Sequence, residues 1–235
     1  MATGDEPWPV YRYPGIAPVT VDATGRYQVR RIDGKWWFVD PAGHAFLFIG
    51  VNGVGPQGAP DARRQFPYRK LVMQKYRNLD SWAESAAQRL RQWGFNAHAT
   101  GHLGKENEKD AIRRQPLWFA HLVMFGELFW RKNGDILLGN KDKWQSVPNF
   151  FRPDYETFCD EMAHRLAAKL CRNPWFIGFM LDNERNWEGP VPFTQACWRR
   201  PAADPAKRAF VDFARRYTRG RIDRFNQIWG TELES

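Results

Sequence analysis

The sequence predicts an α/β fold built on a parallel sheet, and three observations carry the prediction. Apolar runs that lack polar alternation stand at 44–52 and 176–181, as strands covered on both faces require, and two further strands read at 95–100 and 117–125. Patterns with helical spacing lie between them, and strand, helix, strand repeated means right-handed parallel units. The strands begin near residues 46, 95, 117 and 176, a mean spacing of about 43. Eight such units make a (β/α)8 barrel of roughly 250 residues or more, so these 235 residues read as its first four βα units.

Taken in order, residues 1–25 are Pro-rich and read as an irregular lead-in, and residues 26–235 read as the half-barrel domain. Strand formers flank Asp33-Gly34 between Arg26 and Val39, the signature of a β-hairpin, and Asp40-Pro-Ala-Gly43 makes a second turn. The run from His44 to Asn52 is strand one. Its Gly-rich sequel, Gly53 to Gly58, lacks the Gly-Lys-Ser/Thr ending of a phosphate loop. A polar segment to Leu79 reads as a covering insertion. Ser81-Trp-Ala-Glu84 matches a capping box, after which Trp82, Ala86, Leu90 and Trp93 keep helical spacing until Gly94. Phe95–Thr100 and Leu117–Phe125 are strands two and three, with a charged helical stretch from Lys105 to Arg114 between them. Residues 126–149 read as a loop. Pro153 and Asp154 open a helix with apolar positions at Tyr155, Phe158, Cys159, Met162, Leu166 and Leu170. It leads into strand four, and a last helix is expected from Ala206 to Trp229.

Composition narrows the function classes. Twelve Trp raise the expectation of a sugar or nucleic-acid ligand, since indole stacks on both. The net charge of +9 would suit an anionic partner, yet the arginine pairs are scattered and no nucleic-acid motif appears, so they read as a solvated basic face. Three Cys without close pairing suggest idle thiols, and the five His share no metal-ligand spacing, so neither metal nor cofactor is expected. The start of the chain has no basic, apolar leader, and no stretch approaches about 18 apolar residues; the default expectation is a cytoplasmic protein with no membrane partner.

The chemistry concentrates after strand four, where Leu181 gives way to Asp182-Asn183-Glu184. Catalytic groups of parallel barrels sit at the carboxyl ends of strands, although a polar turn after a core strand has the same appearance. Trp187 lies three residues further on and suits stacking on a sugar ring, or packing of its own loop. Asn52, at the end of strand one, is a polar lining residue or a surface-turn Asn.

Gly34-Lys-Trp-Trp-Phe-Val-Asp-Pro-Ala-Gly-His-Ala-Phe-Leu-Phe-Ile-Gly-Val-Asn52, Trp93-Gly-Phe-Asn96 and Pro174-Trp-Phe-Ile-Gly-Phe-Met-Leu-Asp-Asn-Glu-Arg-Asn-Trp187 together resemble the barrel of β-agarases and related β-galactosidase-like glycoside hydrolases. Phe225-Asn-Gln-Ile-Trp-Gly-Thr231 is similar to the segment that follows their fourth strand. The resemblance implies that Glu184 is the general acid/base of a retaining glycosidase and that Asn183 binds the substrate 2-hydroxyl, a contact that strengthens in the oxocarbenium-like transition state. The nucleophilic Glu of that clan follows strand seven, and no residue here takes that role. Ala97-His-Ala-Thr100 and Leu117-Trp-Phe also depart from the family pattern, which leaves the sugar undetermined.

The expectation is therefore a poly- or oligosaccharide hydrolase whose chain as given is inactive alone and self-associates through an open strand edge. A non-catalytic carbohydrate-binding remnant is the first alternative, and a basic nucleic-acid-binding protein is the second.

Overall fold

The computed structural model describes residues 16–98, 106–142, 144–187 and 189–234. Residues 1–15 of the lead-in, Ala99 and Thr100 of the second expected strand, His102 and Lys105 lie outside them. The chain divides into two compact units, one of residues up to 122 together with 170–180, the other of 123–169 together with 181–235.

The first unit opens with an antiparallel sheet of strands β1 (Ile16–Thr20), β2 (Gln28–Ile32), β3 (Lys35–Val39) and β4 (His44–Phe46), in the order β1-β4-β3-β2. The expected hairpin forms: Ile32 pairs with Lys35, and Asp33 and Gly34 take the positive φ values, 49° and 80°, that a two-residue type I′ turn demands. The lead-in is less irregular than expected. Its residues from Ile16 form an edge strand, where Pro18 lacks a donor without breaking an interior ladder.

Strand one is also corrected. Only His44–Phe46 is regular strand, and it pairs antiparallel with β1 and β3. The rest of the run is held by Asn96, whose side chain accepts from Ile49 N–H (2.8 Å) and donates to the Leu47 carbonyl (2.7 Å). A side-chain amide here replaces ladder bonds, so the run passes from an antiparallel pairing to a single parallel bridge, Gly50 to Ala97. Ala97 bridges in parallel to Trp118 in turn. Next comes β5 (Phe119–Val123), whose neighbour is β8 (Phe176–Leu181). Phe119 N–H donates to Trp175 O and Asp182 N–H to Val123 O, so numbering rises in the same direction on both strands.

Three helices cover this unit: α1 (Pro67–Tyr76), α2 (Leu79–Gln92) and α3 (Glu106–Arg113). α1 occupies the segment expected as a covering insertion. α2 starts before the expected box because Asn78, not Ser81, is its cap, accepting from Ser81 N–H at 2.8 Å. Its Trp82, Ala86 and Leu90 are buried with Val72, Ala111, Ile112 and Leu117, whereas Trp93 at the helix end is exposed. A second cluster stacks Phe46 on Trp118 at 3.8 Å, and a third joins Phe119, Leu170 and Phe176. β8 is not covered along its length as expected: Phe176 is buried, but Phe179, Met180 and Leu181 are exposed.

In the second unit the expected loop of residues 126–149 carries regular elements. It contains α4 (Phe125–Asn133), β6 (Ile136–Leu138) and β7 (Val147–Pro148). Phe125, Phe129 and Trp130 bury one face of α4, and Gly134 ends it in the left-handed conformation. Next comes α5 (Pro153–Leu170), as expected. After α6 (Pro190–Trp198), the expected last helix is two, α7 (Pro205–Tyr217) and α8 (Ile222–Trp229), because Arg219 and Gly220 turn to positive φ between them.

Candidate active site

The site begins where β8 stops. Asp182 has φ 54° and Glu184 φ 48°, two non-glycine residues in the left-handed region within three positions. Such a conformation costs roughly 1–2 kcal/mol for an L-residue and persists only where surroundings enforce it. Asp182 shows the enforcement. Both its carboxylate oxygens accept from Gly126 N–H, at 3.0 and 3.2 Å, in the first turn of α4. Met124, the residue at the cap position of α4, has no capping side chain, so Asp182 supplies from far along the chain the negative charge that a helix amino terminus favours.

Arg185 closes the arrangement. Its Nη2 donates to Asp182 Oδ1 at 2.6 Å, its Nε to the same oxygen at 3.1 Å, and its Nη1 to the carbonyls of Trp144 and Ser146 at 2.6 and 2.9 Å. Asn186 N–H adds a bond to Gln145 O at 3.0 Å. The turn that bears Asn183 and Glu184 is thus fastened on one side to α4 and on the other to the segment before β7, while Asn183 and Glu184 themselves are exposed.

Trp187 is half-exposed and packs edge-on against Phe150 and Phe193, with ring centroids at 6.2 and 5.6 Å. Phe150 and Phe193 are themselves stacked at 6.0 Å. The indole is thus packed against two rings while about half of its surface stays exposed, and an aromatic ring so held can take a sugar. Nearby, burial pushes the Tyr155 hydroxyl and the Cys159 thiol up from their ordinary values, and the charge of Asp182 adds to both. Burial raises Cys197 likewise, which makes these two thiols poor nucleophiles.

Of the residues singled out in the sequence, Asn183, Glu184 and Trp187 share this one loop of the second unit. Asn52 is an exposed residue of the first unit, two positions beyond the Gly50 bridge. Asp182 braces the turn. Arg185, Gly126 and Phe150 were not anticipated. The Asp-to-Arg spacing of three was a readable signal for Arg185, but nothing local marks Gly126, which is 56 residues from its partner. Among the described residues no group of three His, Cys, Asp or Glu side chains could hold a metal ion, and no helix is long and apolar enough to cross a membrane.

No protein-family model matches the chain. It is similar in sequence to β-agarase A of Vibrio sp. (strain JT0107), 24% identical over 86% of this chain and 25% of that protein. It is likewise similar to β-agarase B of the same organism, 24% identical over 90% of this chain and 28% of the relative. Solved structures share its fold over 92% of its length. They include an exo-β-agarase (TM-score 0.70, 18% identity, 39% of that chain covered) and the structure entitled BpGH50 (TM-score 0.69, 21% identity, 48% covered). A third is the agarase AgWH50C (TM-score 0.66, 17% identity, 38% covered). The chain is similar to β-agarases in sequence and shares the fold of the solved structures named, and it spans about a quarter of the length of the curated relatives it matches.

Proposed function

We propose that this chain carries the acid/base side of a retaining β-agarase-type glycoside hydrolase acting on a poly- or oligosaccharide. The observation that carries the proposal is the turn after β8, which holds Glu184 in a strained, exposed position beside a supported, half-exposed Trp187. On this reading Glu184 protonates the glycosidic oxygen and later deprotonates the attacking water. Asn183 bonds the 2-hydroxyl and Trp187 stacks on a neighbouring sugar; Asn52, in the first unit, is proposed separately as a substrate contact. The chain-order array of Gly50, Ala97, Trp118–β5 and β8 supports a barrel's first four units as the scaffold. The second carboxylate that a retaining mechanism needs, about 5 to 5.5 Å from the first, is assigned to no residue of this chain.

The test is turnover of agaro- and galacto-oligosaccharides by the natural gene product and by its Glu184→Gln variant. The expected loss is about 10²- to 10⁴-fold, with partial recovery by azide on an activated substrate. Wild-type rates from Glu184→Gln would remove the residue from catalysis. Glycan binding with no turnover by the natural gene product would favour the carbohydrate-binding alternative.

A further inference from the structure

Arg185 reaches three separate stretches of chain at once: Asp182 at the end of β8, the carbonyls of Trp144 and Ser146 before β7, and the face of Gly126 in α4. Its side chain is only 7% exposed. A Cβ on Gly126 would lie 3.2 Å from Arg185 Nε, 3.3 Å from its Cζ and 3.2 Å from Pro148 Cδ, so glycine leaves room for the guanidinium to come this close to the helix. Its neighbours in sequence are the exposed Glu184, with left-handed φ, and Asn186, whose amide is tied to Gln145. Beyond β7, the segment that Arg185 holds continues into Phe150, one of the two rings that support Trp187.

We propose that Arg185 is a positioning residue that fixes the acid-bearing turn and the aromatic platform in one geometry; this rests on the reading of Glu184 as the acid. Four N–H donors of a planar fork do this work, with Nε and Nη2 on Asp182 and Nη1 on the two carbonyls. A lysine would keep the charge and lose the fork, so charge alone cannot substitute. A displacement of the turn by a fraction of an ångström is enough to misalign a proton transfer without abolishing sugar binding.

Two variants test it, Arg185→Lys and Gly126→Ala; the second presses on the guanidinium while leaving the charge and the helix in place. Amide exchange at Gly126 and Asn186 needs no turnover and is read first. It should speed up by about tenfold or more in Arg185→Lys, because both amides depend on the clamp. In the natural gene product, kcat on agaro-oligosaccharides should fall about 100-fold in Arg185→Lys and about tenfold in Gly126→Ala, with KM within about threefold of wild type. Unchanged exchange at both amides overturns the inference, as does an unchanged kcat in both variants while Glu184→Gln loses turnover. Faster exchange together with a fully active Glu184→Gln would instead sink the acid assignment, and with it the role given to Arg185.

Discussion

Two polar side chains, Asn96 in the first unit and Arg185 in the second, each hold backbone that regular secondary structure does not, and they do it in opposite ways. Asn96 is 1% exposed and neutral; its side chain serves the Ile49 N–H and the Leu47 carbonyl with one acceptor and one donor, at 2.8 and 2.7 Å. Arg185 is charged and paired, and what it holds is a turn with two left-handed residues whose remaining side chains face water. A neutral amide suffices where the goal is strand register among apolar neighbours, because an unpaired charge there would be costly. A charged fork suits a strained turn, where one group must gather a carboxylate and two carbonyls from separate segments.

The contrast can be broken at its strong end first. Arg185→Met leaves Asp182 with its helix contact but no counter-charge, and should lower stability in urea by roughly 3 kcal/mol, the low end for a buried pair because Asp182 retains some solvent. Asn96→Leu should cost about 2 kcal/mol, since two backbone groups lose their partners but lie near exposed residues and can recruit water. Equal losses from the two substitutions would mean that charge adds nothing to the clamp.

A pH series sharpens the neutral side. Tyr27 donates to Pro174 O at 2.6 Å and accepts from Trp118 Nε1 at 3.0 Å, and burial raises its phenol above the ordinary value. The unfolded chain therefore gives up this proton first. The Tyr27 contribution is complete below about pH 10 and declines as pH rises above it. Tyr27→Phe should cost about 1 kcal/mol at neutral pH and flatten the alkaline decline in the denaturant midpoint. The smallest effect on the fold belongs to Trp187→Ala: stability nearly unchanged, glycan affinity lowered by up to about tenfold in titration calorimetry, because half of the indole is free. We also propose that the exposed Phe179, Met180 and Leu181 make the chain associate as its concentration rises, which light scattering would show and a concentration-independent monomer would refute.

The sequence made legible what short-range pattern controls. The Asp33-Gly34 hairpin, the helix from Pro153 and the strand from Phe176 each rest on local spacing and a local stop signal. α4 escaped although Phe125, Phe129 and Trp130 have helical spacing, because its cap is Asp182, remote in the chain. Strand one was overextended for a related reason: an unbroken apolar run cannot reveal that an amide 47 residues away takes over its bonds at Ile49. At the site, Asn183, Glu184 and Trp187 stood out by residue type. The parts that hold them did not, since a clamp is defined by distances between segments and no single segment contains it.

The left-handed backbone at Glu184 has a consequence for what the fold could be without its chemistry. At φ 48° glycine would sit unstrained, whereas glutamate carries a cost of roughly 1 kcal/mol. Among the described residues no hydrogen bond or ion pair of its carboxylate offsets that cost. Glu184→Gly should therefore give a chain that is more stable and, on the proposed reading, catalytically dead. If Glu184 is the acid, stability and use pull in opposite directions at this one residue, and a search for thermostable variants would be drawn first to the position that the proposed chemistry can least spare.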